Sequence, residues 1–427
     1  MKRVAITGMG IISSLGNTCE DFFDNLSAGR SGIKRLPADF AENLSVRIAA
    51  PADFKAEDHL SKKEARVTDR ANQFVLVAAS QAWKDSALEL TEEEKRRSGV
   101  YLGTGMGGAN TLEASYEQLF RQQVKRLHPL TVVMVMNNAA ASAISIERGL
   151  KGPCLTFSTA CSSSSVAIGE AFRLIKHGYA DVMLAGGMES PLTRGNLMSW
   201  ESLGTLALET EDPSMSCRPF SKDRTGFVLG EGAAVVVLES LDRARNRGAR
   251  IYGELAGYGS TADAEHFTKP SMEGQSRAIE AALEEARMGP DEIDYINAHG
   301  TATRVNDVIE TQTIKKVFGP RAYTIPISST KSLHGHLLGA AGAVELVASV
   351  IALQRRTVPS TATLTVPDPE CDLDYVPGKA RTNVSLKTVM SQSFAFGGTN
   401  AVLIVRAYEN KRCASELITS RLDRPPS

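Results

Sequence analysis

Cys154-Leu155-Thr156-Phe157-Ser158-Thr159-Ala160-Cys161 runs straight into Ser162-Ser163-Ser164-Ser165-Val166. A short apolar strand pattern gives way to a polar turn and then to a long helical pattern, with a cysteine at the seam. Unpaired N–H groups in the first helical turn, and the positive end of the helix dipole, favour a thiolate at that place. A strand-to-helix turn also lifts its side chain to the top of a sheet, as in a nucleophile elbow. Read alone, a cysteine here is more often a small buried hydrophobe than a nucleophile. Asn297-Ala298-His299-Gly300-Thr301 and Ser329-Thr330-Lys331-Ser332-Leu333-His334-Gly335-His336 supply the imidazoles for a Cys-His-His site.

The same strand, turn and helix recur later in the chain. Leu155 to Cys161 and its helix match Ile325-Pro326-Ile327-Ser328-Ser329-Thr330-Lys331 and the glycine- and alanine-rich helix after it. A helical pattern over about 71–88 leads to Gly99-Val100-Tyr101-Leu102 and Gly103-Thr104-Gly105; one over about 275–288 leads to Ile293-Asp294-Tyr295-Ile296 and Ala298-His299-Gly300-Thr301. Gly226 to Leu238 stands beside Phe394 to Val405 as a third pair. Three paired blocks point to an internal duplication. Ala233 to Leu238 and Val402 to Val405 are apolar on both faces, as central strands covered on each side are. The expected fold is layered α/β, with sheets between helices. The proline-bearing stretch over about 190–225 reads as an insertion, and the residues from about 410 as a frayed tail.

Composition excludes several classes. The 427 residues are 42% hydrophobic and 23% charged, with 35 glycines, which is a globular and turn-rich balance. A net charge of −1 provides no field for nucleic acid or an anionic membrane. Any acidic partner must therefore be met by a local patch. The six cysteines contain no CxxC pair, which speaks for free thiols in a reducing compartment and against a disulfide framework or zinc site. No apolar run reaches the roughly 18 to 20 residues of a membrane span, so a cytoplasmic location is expected. Gly103-Thr104-Gly105-Met106-Gly107-Gly108 has the GxGxxG form. It lacks the βαβ unit and the acidic strand end that a dinucleotide site needs, and reads instead as close-packed backbone.

Thr159-Ala160-Cys161, the His299 motif, Ser329-Thr330-Lys331 through Gly342, and Phe394-Ala395-Phe396-Gly397-Gly398-Thr399-Asn400 resemble, in order and spacing, the β-ketoacyl-acyl carrier protein synthases of the type II, elongating kind. The resemblance covers Met1 to about Val405. It implies a thiolase fold whose duplicated halves form an α-β-α-β-α sandwich, divided as 1–250 with the nucleophile, 251–408 with the histidine motifs, and a tail over 409–427. It also implies a homodimer and an acyltransferase that condenses malonyl carrier protein with an acyl chain in fatty acid elongation. No metal or organic cofactor is expected, since both substrates ride on the phosphopantetheine arm of acyl carrier protein.

Residue roles follow from the same resemblance. Cys161 would carry the acyl group. The backbone N–H groups of Cys161 and Phe396 would form the oxyanion hole. His299 and His336, as neutral donors, would stabilise the enolate left by decarboxylation. Lys331 and Glu310 are expected to support them, the lysine close to His336 and paired with the glutamate. Thr301 and Thr303 would bind the phosphopantetheine arm, Phe396 would gate the acyl chain and Met106 would line its pocket. Lys62, Lys63 and Arg66 are expected to dock the acidic carrier, although Val67 stands where the family often has another basic residue.

Two departures leave the pathway open: the run Ser162-Ser163-Ser164 and Ala395 resemble ketosynthases of polyketide assembly, which share the mechanism and can pair with a second subunit. A non-catalytic chain-length-factor partner commonly lacks the nucleophile, which this chain keeps. A degradative thiolase needs a second cysteine near the C-terminal glycine motif, and Phe394 to Asn400 has none. A cysteine hydrolase leaves the second histidine motif and Lys331 unexplained.

Overall fold

The computed structural model describes residues 1–409. Cys413 and the expected tail, beyond its first residue, lie outside the described residues. Ten strands form one hydrogen-bonded sheet: β1 (Val4–Ile12), β2 (Ser98–Gly103), β3 (Cys154–Phe157), β4 (Val182–Glu189), β5 (Gly232–Ser240), β6 (Gly253–Ala262), β7 (Tyr295–Asn297), β8 (Ile327–Ser328), β9 (Thr388–Phe394) and β10 (Thr399–Arg406). Among the helices that connect them are α1 (Arg70–Ser86), α2 (Ala139–Arg148), α3 (Ser163–Lys176), α4 (Met272–Ala286), α5 (Arg304–Phe318) and α6 (Ala341–Arg355).

The duplication is explicit in the strand order. The first half runs β3-β2-β4-β5-β1 and the second runs β8-β7-β9-β10-β6, the same sequence of positions five strands on. Directions match as well. β2 is parallel to β3 and β4, while β5 is antiparallel to β4 and β1. In the second half β7 is parallel to β8 and β9, while β10 is antiparallel to β9 and β6. The halves join where β1 meets β6 through Val4, Ala5 and Ile6. The expected division at 250 falls in the link between Asn246 and Gly253. The two halves share one core, because the largest cluster of buried side chains draws on both.

Five layers result. Helices α3 and α6 touch strands of both halves and form the middle layer; α1 and α2 cover one outer face, α4 and α5 the other. All nine residues of β5 are buried, which explains an apolar run without alternation. Helix α1 starts at Asp69, whose carboxylate accepts from the Ala71 N–H, and buries Phe74, Val75 and Ala78. Leu338–Arg355 is apolar and long enough to cross a membrane by composition, in contrast to the sequence-based expectation. Its place in the middle layer, where 89% of it is buried inside the protein, accounts for that character.

The stretch over 190–225 lies between β4 and β5 and contains the helix Arg194–Ser202. Its counterpart in the second half, between β9 and β10, is the short turn Ala395 to Gly398. Turn and insertion face each other across the site described next.

Candidate active site

Strand β3 ends beneath a tight turn in which Ala160 adopts a left-handed φ of +49°, a strained value for a residue with a Cβ. Ala160–Ser162 forms one turn of 3-10 helix before α3, and Cys161 sits at its centre. The serines that follow hold this turn. Ser162 and Ser163 hydroxyls donate to the Thr159 and Ala160 carbonyls. Ser164 accepts from the Ala343 N–H at the start of α6, and Ser165 bonds Ser393 across the middle layer. Gly103 lets the end of β2 pass over this turn, since a Cβ there would lie 2.2 Å from the Ser163 carbonyl carbon.

The structure brings Cys161, His299 and His336 together, with the sulfur and one nitrogen of each ring within 4.8 Å of one another. Cys161 Sγ is 3.1 Å from His336 Nε2. The two imidazoles meet edge to face, with centroids 5.5 Å apart. Their outer nitrogens both accept. His336 Nδ1 takes the Leu338 N–H at 3.3 Å, and His299 Nδ1 faces the Lys331 ammonium at 3.4 Å. The inner nitrogens therefore carry the protons, the reverse of a metal-ligating histidine, which donates from its outer nitrogen. The donor set of one sulfur and two nitrogens has zinc-like composition, but these tautomers and the adjacent ammonium do not fit a dication.

Burial, reinforced by the Lys331 charge, holds both imidazoles well below the usual histidine range, so both are neutral donors at physiological pH. Burial pushes the Cys161 thiol up to about 12, against the pull of the Lys331 charge and the Phe396 backbone N–H. This corrects the expectation of a resting thiolate: desolvation outweighs the helix end.

Lys331 is fully buried and also departs from expectation. Its ammonium pairs with Glu345 of α6 and donates to the His299 carbonyl at 2.6 Å. It thus lies beside His299, and its partner is Glu345. Glu310 instead accepts from the backbone N–H groups of His299 and Gly300, at 2.7 and 2.8 Å, and holds the histidine loop from α5. The geometry decides the pairing, because α6 passes under Lys331 while the Glu310 carboxylate is taken up by those two amides. Burial raises the Glu310 carboxyl to about 7, which the Gly300 and His299 amides oppose.

A cavity of about 690 Å³ opens onto the three residues. Thr301 and Thr303 line it and share a hydrogen bond of 2.9 Å. Phe396 lines it too, with its backbone N–H directed at the Cys161 sulfur. Ala395 lies outside the left-handed region, whereas Gly397 and Gly398 have φ of +84° and +76°, so alanine fits the first position of this turn without strain. Met106 does not line the cavity. Glu189 accepts from the N–H groups of Gly105, Met106 and Gly339, and the Met106 side chain is 42% exposed. Two amides of the GxGxxG motif, those of Gly105 and Met106, are thus occupied by a carboxylate of the chain itself. Lys62, Lys63 and Arg66 lie exposed on the short helix Lys62–Arg66 and do not line the cavity either; Lys269 and Arg304 are the cations that do. Glu345, Glu189 and Trp200 escaped the sequence reading. A lone carboxylate within the apolar stretch Ala341 to Leu353 is the signal that would have found Glu345.

The chain matches the N-terminal domain of β-ketoacyl synthases over residues 1–244 and their C-terminal domain over 252–365. It is 42% identical over 411 residues to 3-oxoacyl-[acyl-carrier-protein] synthase 2 of Staphylococcus aureus strain COL, covering 96% of this chain and 99% of that protein. It is 43% identical to the protein of the same name from a Synechocystis strain, again over 96% and 99%. Among solved structures it resembles a type II polyketide synthase ketosynthase, in complex with its acyl-carrier protein and bound to the hexaketide. That match has a TM-score of 0.88 at 33% identity and covers 96% of this chain and 100% of that one.

Proposed function

The chain belongs to the β-ketoacyl synthase family, and on that premise we propose that it is a 3-oxoacyl-[acyl-carrier-protein] synthase of fatty acid elongation. Cys161 Sγ attacks the carbonyl of an acyl thioester; the pantetheine sulfur leaves with the proton that the thiol gives up. The backbone N–H groups of Cys161 and Phe396 hold the tetrahedral oxyanion. A malonyl thioester then enters, with Thr301 and Thr303 binding its phosphopantetheine arm. Its bond to the carboxylate breaks, carbon dioxide leaves, and the electron pair forms an enolate whose oxygen accepts from the inner nitrogens of His299 and His336. The enolate carbon attacks the acyl carbonyl, and Cys161 leaves as thiolate, to be reprotonated from water. No cofactor or metal enters this cycle.

One observation carries the reading: the outer nitrogen of each buried imidazole faces a donor, the Lys331 ammonium or the Leu338 N–H, which leaves the inner nitrogen to carry the proton. Such a pair suits an enolate oxygen and does not suit a general base. Lys331 keeps His299 in that tautomer, while Glu310 fixes the loop that bears it.

Carrier protein would approach over Lys62, Lys63 and Arg66, which lie exposed on their short helix. A homodimer would form through β3, which is an open sheet edge with Leu155 half exposed, and through the exposed Met106, Val132 and Val133. Cysteines 19, 154, 161, 217 and 371 are unpaired, which supports a cytoplasmic setting.

The test is intact mass after incubation with acyl carrier thioesters of graded length, followed by malonyl carrier protein. Acyl uptake abolished by Cys161→Ala, then a product two carbons longer, is the expected result. Best loading by a polyketide-type acyl group would move the protein to a specialised pathway with the same chemistry. No uptake from any carrier would overturn the reading.

A further inference from the structure

Trp200 lies in the helix Arg194–Ser202, within the insertion that the second half of the fold lacks. Its indole stacks on the Phe396 ring, with centroids 6.2 Å apart and planes 26° from parallel. It also meets Phe227 edge-on at 5.5 Å, and Phe227 in turn meets the His336 ring edge-on at 5.2 Å. An unbroken aromatic row thus runs from the turn over the nucleophile to one of its imidazoles.

The two ends of the Trp200–Phe396 stack differ in support. Trp200 stands on a capped helix. Thr193 accepts from the Asn196 N–H, Glu113 accepts from the Arg194 and Gly195 N–H groups, and Glu201 accepts from the Val46 N–H. Phe396 stands on a turn followed by two glycines in left-handed conformation, tied from outside by the Gly397 N–H to the Phe267 carbonyl and by the Asp263 N–H to the Gly398 carbonyl. The capped helix and the glycine turn are thus separate supports for the two stacked rings.

We propose that Trp200 is a positioning residue for acyl loading: its indole latches Phe396 in the closed position over Cys161, and loading proceeds when the stack opens. The inference rests on the reading of Phe396 as the gate given above. Trp200 also lines the cavity and meets Phe227, and in this scheme its effect on loading runs through Phe396.

The experiment measures the rate at which Cys161 takes up an octanoyl group from octanoyl carrier protein, by rapid quench and intact mass. It compares the wild type, Trp200→Leu, Trp200→Phe, Phe396→Ala and the Trp200→Leu/Phe396→Ala double variant. Trp200→Leu should accelerate uptake by about 2- to 10-fold, the factor that one aromatic pair is worth. Trp200→Phe, which keeps a stacking ring, should stay near wild type. With Phe396 already truncated, Trp200→Leu should add nothing. The chain has two tryptophans, and Trp83 lies in α1. In a Trp83→Phe background the emission of Trp200 should therefore change in proportion to octanoyl bound at Cys161, and stay constant in Cys161→Ala.

Faster uptake in Phe396→Ala, but wild-type uptake in Trp200→Leu, would overturn the latch and leave the gate standing. An equal acceleration by Trp200→Leu with and without Phe396 would overturn it too. Wild-type uptake in Phe396→Ala would remove the gate, and the latch with it.

Discussion

Glu345→Gln should be among the most damaging single changes in this protein, although Glu345 touches neither cavity nor sulfur. Its side chain and that of Lys331 are both fully buried, and they form an ion pair. Glutamine keeps the shape and removes the charge, so the ammonium retains the His299 carbonyl and ring nitrogen but loses its hydrogen-bonded counter-charge. A buried pair broken on one side costs about 3–5 kcal/mol, against a typical total stability of about 5–15 kcal/mol. The assay is urea unfolding of the purified protein at pH 7.5, followed by far-UV circular dichroism. A second variant separates stability from chemistry. In Lys331→Met/Glu345→Leu both charges give way to apolar groups, which should recover most of the lost stability. His299 would then lack the donor at Nδ1 that keeps its proton on Nε2, so malonyl decarboxylation should fall by about 100-fold or more, the scale of a lost proton donor. Glu345→Gln within about 1 kcal/mol of wild type would refute the pairing argument. Wild-type decarboxylation in the double variant would refute the role given to Lys331.

Gly103→Ala should destabilise the fold by about 1–3 kcal/mol and slow acyl uptake at Cys161, because the new Cβ meets the Ser163 and Ser164 backbone at 2.2 and 2.3 Å; unfolding and intact-mass loading measure both effects. His334 is buried and bonded to Thr330 and Gly335, and burial lowers its pKa to about 3. An unfolded chain protonates this imidazole near pH 6.5 while the folded chain does not. The stability it supports is therefore complete above about 6.5 and is lost as pH falls towards 3, at up to about 1.4 kcal/mol per pH unit. Unfolding series at pH 7.5 and 5.5 should show His334→Gln losing less than wild type by about that amount. Charge reversal at Lys63 and Arg66 should raise the Michaelis constant for acyl carrier protein and spare a small pantetheine thioester; equal effects on both would remove the docking assignment.

How much of this was legible in the chain depended on how local the signal was. The repeated strand, turn and helix could be read from residues that are neighbours in sequence, and the strand order of the two halves shows the same repeat. Cys161 at its seam and the two histidine motifs were legible for the same reason. The ion pair was not. Glu310 and Glu345 both lie downstream of His299 on helices, and only the passage of α6 beneath Lys331 selects between them. Met106 was misplaced because Glu189, 83 residues away, takes its N–H. Trp200 belongs to the insertion, which has no counterpart in the second half to reveal what it faces.

The duplication also explains why one chain can build such a site. Cys161 follows β3, and Lys331 follows β8, the strand at the equivalent position of the second half. The same local unit thus presents a sulfur in one half and an ammonium in the other. The helices that follow, α3 and α6, start side by side, with Ser164 bonded to Ala343 and Gly342 so close to Ser165 that a Cβ would lie 2.0 Å from its hydroxyl. The serine run after Cys161 is therefore accounted for by packing between the halves, and by itself it carries no information about the acyl chain. What it secures is convergence: two turns of like geometry meet, one bearing the nucleophile and the other the charge that orders the imidazole facing it.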